Sequence, residues 1–247
     1  MRSYTKKIIF YILILFIASC GHTHTHINHT QNTIRNAKRS FVKVEVDVWG
    51  HICQTLESGI KECTKSKIGG AWGSGSIIIY KGKKAILTVA HVCRHMKLDT
   101  MATLLGDDIS YEYAVTIEGN EWEKYAVEPV KIDDQNDICI MYSTQQTLDG
   151  PPLRMANKKP TYGQEIFTIA SPGGLAENGM VPIFEGRFIG ELENRAFYSV
   201  PVMGGSSGAP LLNRDGHLVG VTHSVYAFFH HVSVSSTFED LWKFITI

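Results

Sequence analysis

From Phe41 to Trp49 the chain reads Phe-Val-Lys-Val-Glu-Val-Asp-Val-Trp, an unbroken alternation that sets Val42, Val44, Val46 and Val48 on one face and the charged residues on the other. A period of two fits a strand with one buried face and does not fit a helix. The same kind of segment recurs. Gly73–Tyr80 reads as a second strand, and Lys81-Gly82-Lys83-Lys84 turns the chain into Ala85–Val89; further strands are expected at Ser110–Val115, Ala126–Lys131 and Ile138–Tyr142. Pro151-Pro152 breaks the pattern. Beyond it come Glu165–Ile169, Ile183–Ile189, Phe197–Val200, Ala209–Leu212, Leu218–Thr222 and His231–Val234. Many short strands joined by glycine-containing turns point to barrels or sandwiches rather than a parallel sheet. Only the C-terminus looks helical: Ser236-x-x-Glu239 has the form of a capping box, and Phe238, Leu241, Trp242 and Ile245 share one face of the helix it would start.

Chemistry concentrates in three stretches. Gly204-Gly205-Ser206-Ser207-Gly208-Ala209-Pro210 presents a serine between glycines, where the backbone can turn sharply and approach a ligand. The N–H groups of Gly205 and Ser207 are candidates for an oxyanion hole. Ala85–Cys93 is an apolar run that includes Ala90-His91, and Gln135–Met141 places Asp137 at the head of another strand. Serine, histidine and aspartate are the set that activates a hydroxyl by a base. Asp133 and Asp134 are rival carboxylates, but only Asp137 is followed directly by a strand that would bury it against the histidine.

These motifs resemble those of the chymotrypsin-like (trypsin-fold) serine peptidases. Thr88-Val-Ala-His-Val is similar to their histidine motif, Asn136-Asp137-Ile-Cys-Ile to their aspartate motif and Gly205-Ser-Ser-Gly-Ala-Pro210 to their serine motif, with 46 residues from His91 to Asp137 and 70 on to Ser207. The likeness runs from about residue 40 to the C-terminus. It implies an all-β fold of two six-stranded antiparallel barrels with a C-terminal α-helix, a first lobe over 40–150 and a second over 151–247. It implies a serine endopeptidase with His91, Asp137 and Ser207 as its triad, acting on protein or peptide substrates without a cofactor or metal.

Two departures from the family pattern carry information. Members activated by clipping have an aspartate just before the nucleophile, where this chain has Ser206, so mature protein is expected to be active without a second cleavage. Members that prefer basic side chains have an aspartate six residues before the nucleophile, where this chain has Pro201. His223 follows Gly220-Val221-Thr222 on the strand expected to line the specificity pocket; relatives that cleave after Glu or Gln use a histidine on that strand, so a Glu/Gln preference is expected.

The first 19 residues carry Arg2, Lys6 and Lys7, then the apolar run Ile8–Ile17. Ten apolar residues fall short of the roughly 20 needed to span a bilayer, so 1–19 reads as a secretory signal peptide. Ile17-Ala18-Ser19-Cys20 resembles the bacterial lipobox, which implies lipidation at Cys20 and an exported protein anchored to an envelope membrane. Removing 1–19 leaves 21 basic against 24 acidic residues, a formal charge of −3, with no basic stripe for nucleic acid. Residues 20–39 read as a flexible tether rich in histidine, with His22, His24, His26 and His29 as candidate metal ligands that no spacing organises. Cys53 and Cys63 flank a turn-like segment and are expected to form a disulfide; Cys93 and Cys139 stay open between a bridge and two buried thiols. The protein is expected to be monomeric.

Competing chemistries fit less well. An α/β-hydrolase needs serine, acid and histidine in that order along the chain, the reverse of what stands here. A zincin needs a glutamate beside the first histidine, and His91 is followed by Val92. A lipid-tethered binding protein on the same scaffold, with little activity, is the rival from another class.

Overall fold

The computed structural model describes residues 31–55, 58–94, 109–119, 123–144, 147–226 and 229–247. The expected signal peptide, Cys20 and the histidines at 22–29 lie outside the described residues.

Two closed antiparallel barrels of six strands each make up the molecule. The first holds β1 (Phe41–Thr55), β2 (Lys61–Tyr80), β3 (Lys83–Thr88), β4 (Ile109–Glu118), β5 (Lys124–Asp133) and β6 (Ile138–Ser143), in the order β1-β2-β3-β6-β5-β4. The second repeats this plan with β7 (Glu165–Ile169), β8 (Ile183–Leu192), β9 (Arg195–Tyr198), β10 (Pro210–Asn213), β11 (Leu218–Tyr226) and β12 (Phe229–Ser236), in the order β10-β11-β12-β9-β8-β7. Pro151-Pro152 falls between β6 and β7. The alternating valines of β1 point inward as expected: Val42, Val44, Val46 and Val48 are all buried, beside Ile77, Ile86, Leu87, Ile117 and Ile140. A second core gathers Ile166, Phe188, Tyr198, Val200, Leu211 and Val219 inside the other barrel.

Three expectations need correction. Residues 31–40 are helical (α1) and do not continue the tether to 39; Ala37 and Ser40 are buried, and Ser40 Oγ donates to the Pro151 carbonyl. A polar composition hid a narrow inward stripe at helical spacing. The segment Gln54–Glu62 is not simply a turn, because β1 and β2 pair out to Thr55↔Lys61 and form a long hairpin. The C-terminal helix α3 (Phe238–Thr246) is capped one residue later than the box implied: Thr237 Oγ1 accepts from Asp240 N at 3.2 Å, while Ser236 ends β12 opposite Arg195. Of the expected face, Phe238 and Leu241 are buried and Ile245 packs against the core, but Trp242 is exposed and Phe244 is buried in its stead.

Both cysteine pairs are bridged. Cys53–Cys63 joins directly opposed residues of the β1–β2 hairpin, with Cα atoms 4.0 Å apart. Cys93–Cys139 ties the short helix α2 (Ala90–Arg94) to β6. Two disulfides fit an exported protein. Among the described residues no helix is long and apolar enough to cross a membrane. Loop-entropy scaling gives about 4 kcal/mol for the 46-residue separation of Cys93–Cys139 against about 2–3 kcal/mol for the 10-residue separation of the hairpin bridge. Replacing Cys93 and Cys139 together by serine is thus expected to lower the unfolding free energy in guanidinium titrations by more than the same change at Cys53 and Cys63.

Candidate active site

His91 is the second residue of α2, the single turn that follows the buried end of β3, and Asp137 stands just before β6. Strand pairing brings these ends together, since Thr88 opposes Cys139. Asp137 then grips the histidine twice: Oδ1 accepts from the main-chain N–H of His91 at 2.9 Å, and Oδ2 lies 2.7 Å from Nδ1. Asp137 has φ 52°, a left-handed conformation that Asp tolerates better than most side chains. Burial alone would raise its pKa, but the hydrogen bonds and charge of His91 outweigh burial, and the carboxyl is held below the ordinary aspartate range. An ionised Asp137 accepts from Nδ1–H and so leaves Nε2 as the basic nitrogen of the ring.

The rival carboxylates are engaged elsewhere. Asp133 accepts from Gln135 N, Asn136 N and Asn136 Nδ2 and shapes the turn that presents Asp137. Asp134 pairs with Arg94 at 2.9 Å.

Ser207 arrives from the other barrel, on the loop that enters β10. A residue that sequence inspection passed over fastens this loop to the first barrel. Ser74 of β2 is fully buried and donates its N–H to the Ser207 carbonyl at 2.7 Å. Its hydroxyl donates to Gly205 O at 2.8 Å and accepts from Ser171 N at 2.9 Å, while its carbonyl accepts from Thr88 Oγ1 at 2.8 Å. The only trace in the sequence is its place between Gly73 and Gly75. A Cβ at Gly73 would lie 3.0 Å from Val92 and 3.2 Å from the Ser207 carbonyl, which shows how closely the Ser207 loop and the His91 helix flank β2.

Ser207 itself is half-buried. Among the described residues its hydroxyl and His91 Nε2 make no hydrogen bond; such bonds are often long before a substrate closes the site. Neither the Gly205 nor the Ser207 N–H donates to an acceptor among the described residues, so both remain available to a developing oxyanion. Gly205 has φ 93°, and a Cβ there would lie 2.3 Å from the Ser171 carbonyl. Gly208 is tighter still, 1.9 Å from the Ser74 carbonyl. Gly208→Ala is therefore expected to cost about 2–4 kcal/mol and to depress activity. Gly204→Ala, where a Cβ meets nothing within 4 Å, is the control expected to leave the melting temperature nearly unchanged.

Ser206, in the position taken by aspartate in clip-activated relatives, is buried and accepts from Met203 N at 3.4 Å. Pro201 is half-buried on the same loop. His223 sits where the β11–β12 register slips between Thr222 and Ser224. Burial pushes its pKa down, the Asp137 charge opposes that, and Arg195 and His91 push it further down, so it feels both residues of the His–Asp pair. No cluster of metal-ligating side chains occurs among the described residues.

A family model described as a trypsin-like peptidase domain matches residues 73–221. Among solved structures, the chain is similar to the active form of the Rv3671c protease from M. tuberculosis: TM-score 0.59, 17% identity, 86% of this chain and 82% of that one covered. At that identity the likeness speaks for the fold alone. No curated protein matches the sequence.

Proposed function

The chain belongs to the trypsin-like peptidase domain family, and from that premise we propose that it is a serine endopeptidase working through Ser207, His91 and Asp137. His91 Nε2 takes the Ser207 Oγ proton as the oxygen attacks the substrate carbonyl carbon. The oxyanion that forms is met by the N–H groups of Gly205 and Ser207. Collapse of this intermediate breaks the C–N bond, His91 returns the proton to the departing amine, and an acyl-enzyme remains on Ser207. Water, deprotonated by His91, then releases the acid. The observation that carries this reading is the double grip of Asp137 on His91, which fixes one imidazole tautomer.

For specificity, the same reading assigns His223 a hydrogen bond to a Glu or Gln side chain before the cleaved bond. Half-burial and a lowered pKa support this by keeping its imidazole neutral, with one N–H to donate. A peptide library is expected to be cut after Glu or Gln, and His223→Ala to erase the preference about tenfold or more. Cleavage after Phe, Leu or Arg refutes the assignment. The lipobox-like run Ile17–Cys20 supports attachment to an envelope membrane through Cys20. Labelling of Ser207 by a serine-reactive phosphonate, mapped by peptide mass, tests the enzyme reading itself; absence of labelling favours a tethered binding protein instead.

A further inference from the structure

The hairpin of β1 and β2, backed on the β1 side by β4 as far as Ile52, runs well past the point where β3 leaves β2. β2 pairs with β1 from Lys61 to Ser76, but with β3 only from Ser76 to Tyr80. Between Lys61 and Gly73 the side of β2 turned away from β1 meets no strand among the described residues, and residues 62–70 are all exposed. An unpaired edge offers a row of main-chain donors and acceptors, and folded proteins commonly blunt such edges with proline, lysines or bulges, or by keeping them short. This one contains no proline. A single extra residue, Ile68, interrupts its pairing with β1, and Gly69-Gly70 present no side chains beside it. The Cys53–Cys63 bridge holds its outer end to β1.

Position gives this edge a meaning. On β2 the N–H of Ser74 is taken by the Ser207 carbonyl, so the nucleophile's own backbone occupies one rung beside the barrel, and the open rungs continue outward from there. We propose that the outer edge of β2, from Gly70 to Lys61, is a second binding surface for the substrate. The polypeptide flanking the scissile bond on one side lies against it as an added strand, so that the enzyme selects extended or unfolded segments over compact ones. The proposal rests on the peptidase reading above. At about 3.3 Å per residue the arm would engage substrate residues roughly four to twelve positions from the cleaved bond. Lys67 lies against Asp47 at 2.6 Å and Lys65 over the Trp49 ring, contacts that tie the outer part of β2 to β1.

The test is a series of quenched-fluorescent peptides with one fixed cleaved core, extended by four, eight or twelve non-folding residues on either side. With wild-type protein, kcat/KM is expected to rise about tenfold from the shortest to the longest extension, on one side only. N-methylation of extension residues should reduce the gain at every second position, as strand pairing requires. Joint replacement of Cys53 and Cys63 by serine should shrink the gain from extension below about threefold. A rate indifferent to length, or N-methyl effects without a period of two, overturns the proposal. Anisotropy measurements of the same labelled peptides on Ser207→Ala protein separate the two readings. Length-dependent binding without turnover by wild-type protein keeps the arm and discards the peptidase, whereas turnover without a length effect does the reverse.

Discussion

Ser207→Ala is expected to abolish phosphonate labelling and to lower peptide turnover by about 10⁶, the loss seen when the nucleophile of a Ser-His-Asp site is removed. Fold and stability should survive the change. The hydroxyl makes no hydrogen bond among the described residues and Ser207 is only half-buried, so its loss leaves no partner stranded and should shift the unfolding free energy by no more than about 0.5 kcal/mol. The neighbouring Ser206 cannot take over, because it is buried and engaged with Met203 N. Active-site titration of the purified variant is the measurement. Turnover within a hundredfold of wild type would remove Ser207 from the mechanism.

Asp137→Asn should cost about 10⁴ in kcat with little change in KM, a magnitude carried over from well-studied triads. The physical reason is the tautomer. An asparagine amide facing Nδ1 offers N–H, the ring must then carry its proton on Nε2, and Nε2 can no longer accept one from Ser207. Asparagine also tolerates the left-handed backbone at this position, so the turn should persist. A loss under tenfold would shift the role to Asp133 or Asp134. The variant also has a pH signature. Because the folded-state pKa of Asp137 is depressed, its contribution to stability is full above the unfolded value and disappears as the pH falls through the folded one. Wild type and variant should therefore differ fully above about pH 4 and draw together progressively as the pH falls below it, as thermal melts across the acid range would show.

Residues close to the chain's own local rules were legible in the sequence. The β1 valines announce a buried face by alternation, and His91 and Asp137 stand at the ends of apolar strands that cannot be anywhere but inside. What stayed hidden depends on partners distant in the chain. Ser74 looks like any small strand residue until its contacts with the second barrel are seen. The outer half of β2 carries lysines and paired glycines, a composition that argues for a loop, and it is a strand because β1 and a disulfide hold it. Trp242 and Phe244 flank Phe238 and Leu241 on opposite sides of the helix, at about 100° per residue, and the surface on which α3 packs selects Phe244. Nothing in the spacing of Cys93 and Cys139 distinguished a bridge from two thiols.

The fastening of the Ser207 loop by Ser74 bears on when during its life the protein becomes dangerous to its neighbours. Translation delivers the whole first barrel, histidine and aspartate included, well before the loop it must clasp, and the three bonds made by Ser74 to Ser207, Gly205 and Ser171 all await the later half of the chain. A nascent or half-unfolded polypeptide therefore holds the parts of a cutting device that has not been put together. Harmlessness before folding is complete would follow from assembly order, with no inhibitory segment required.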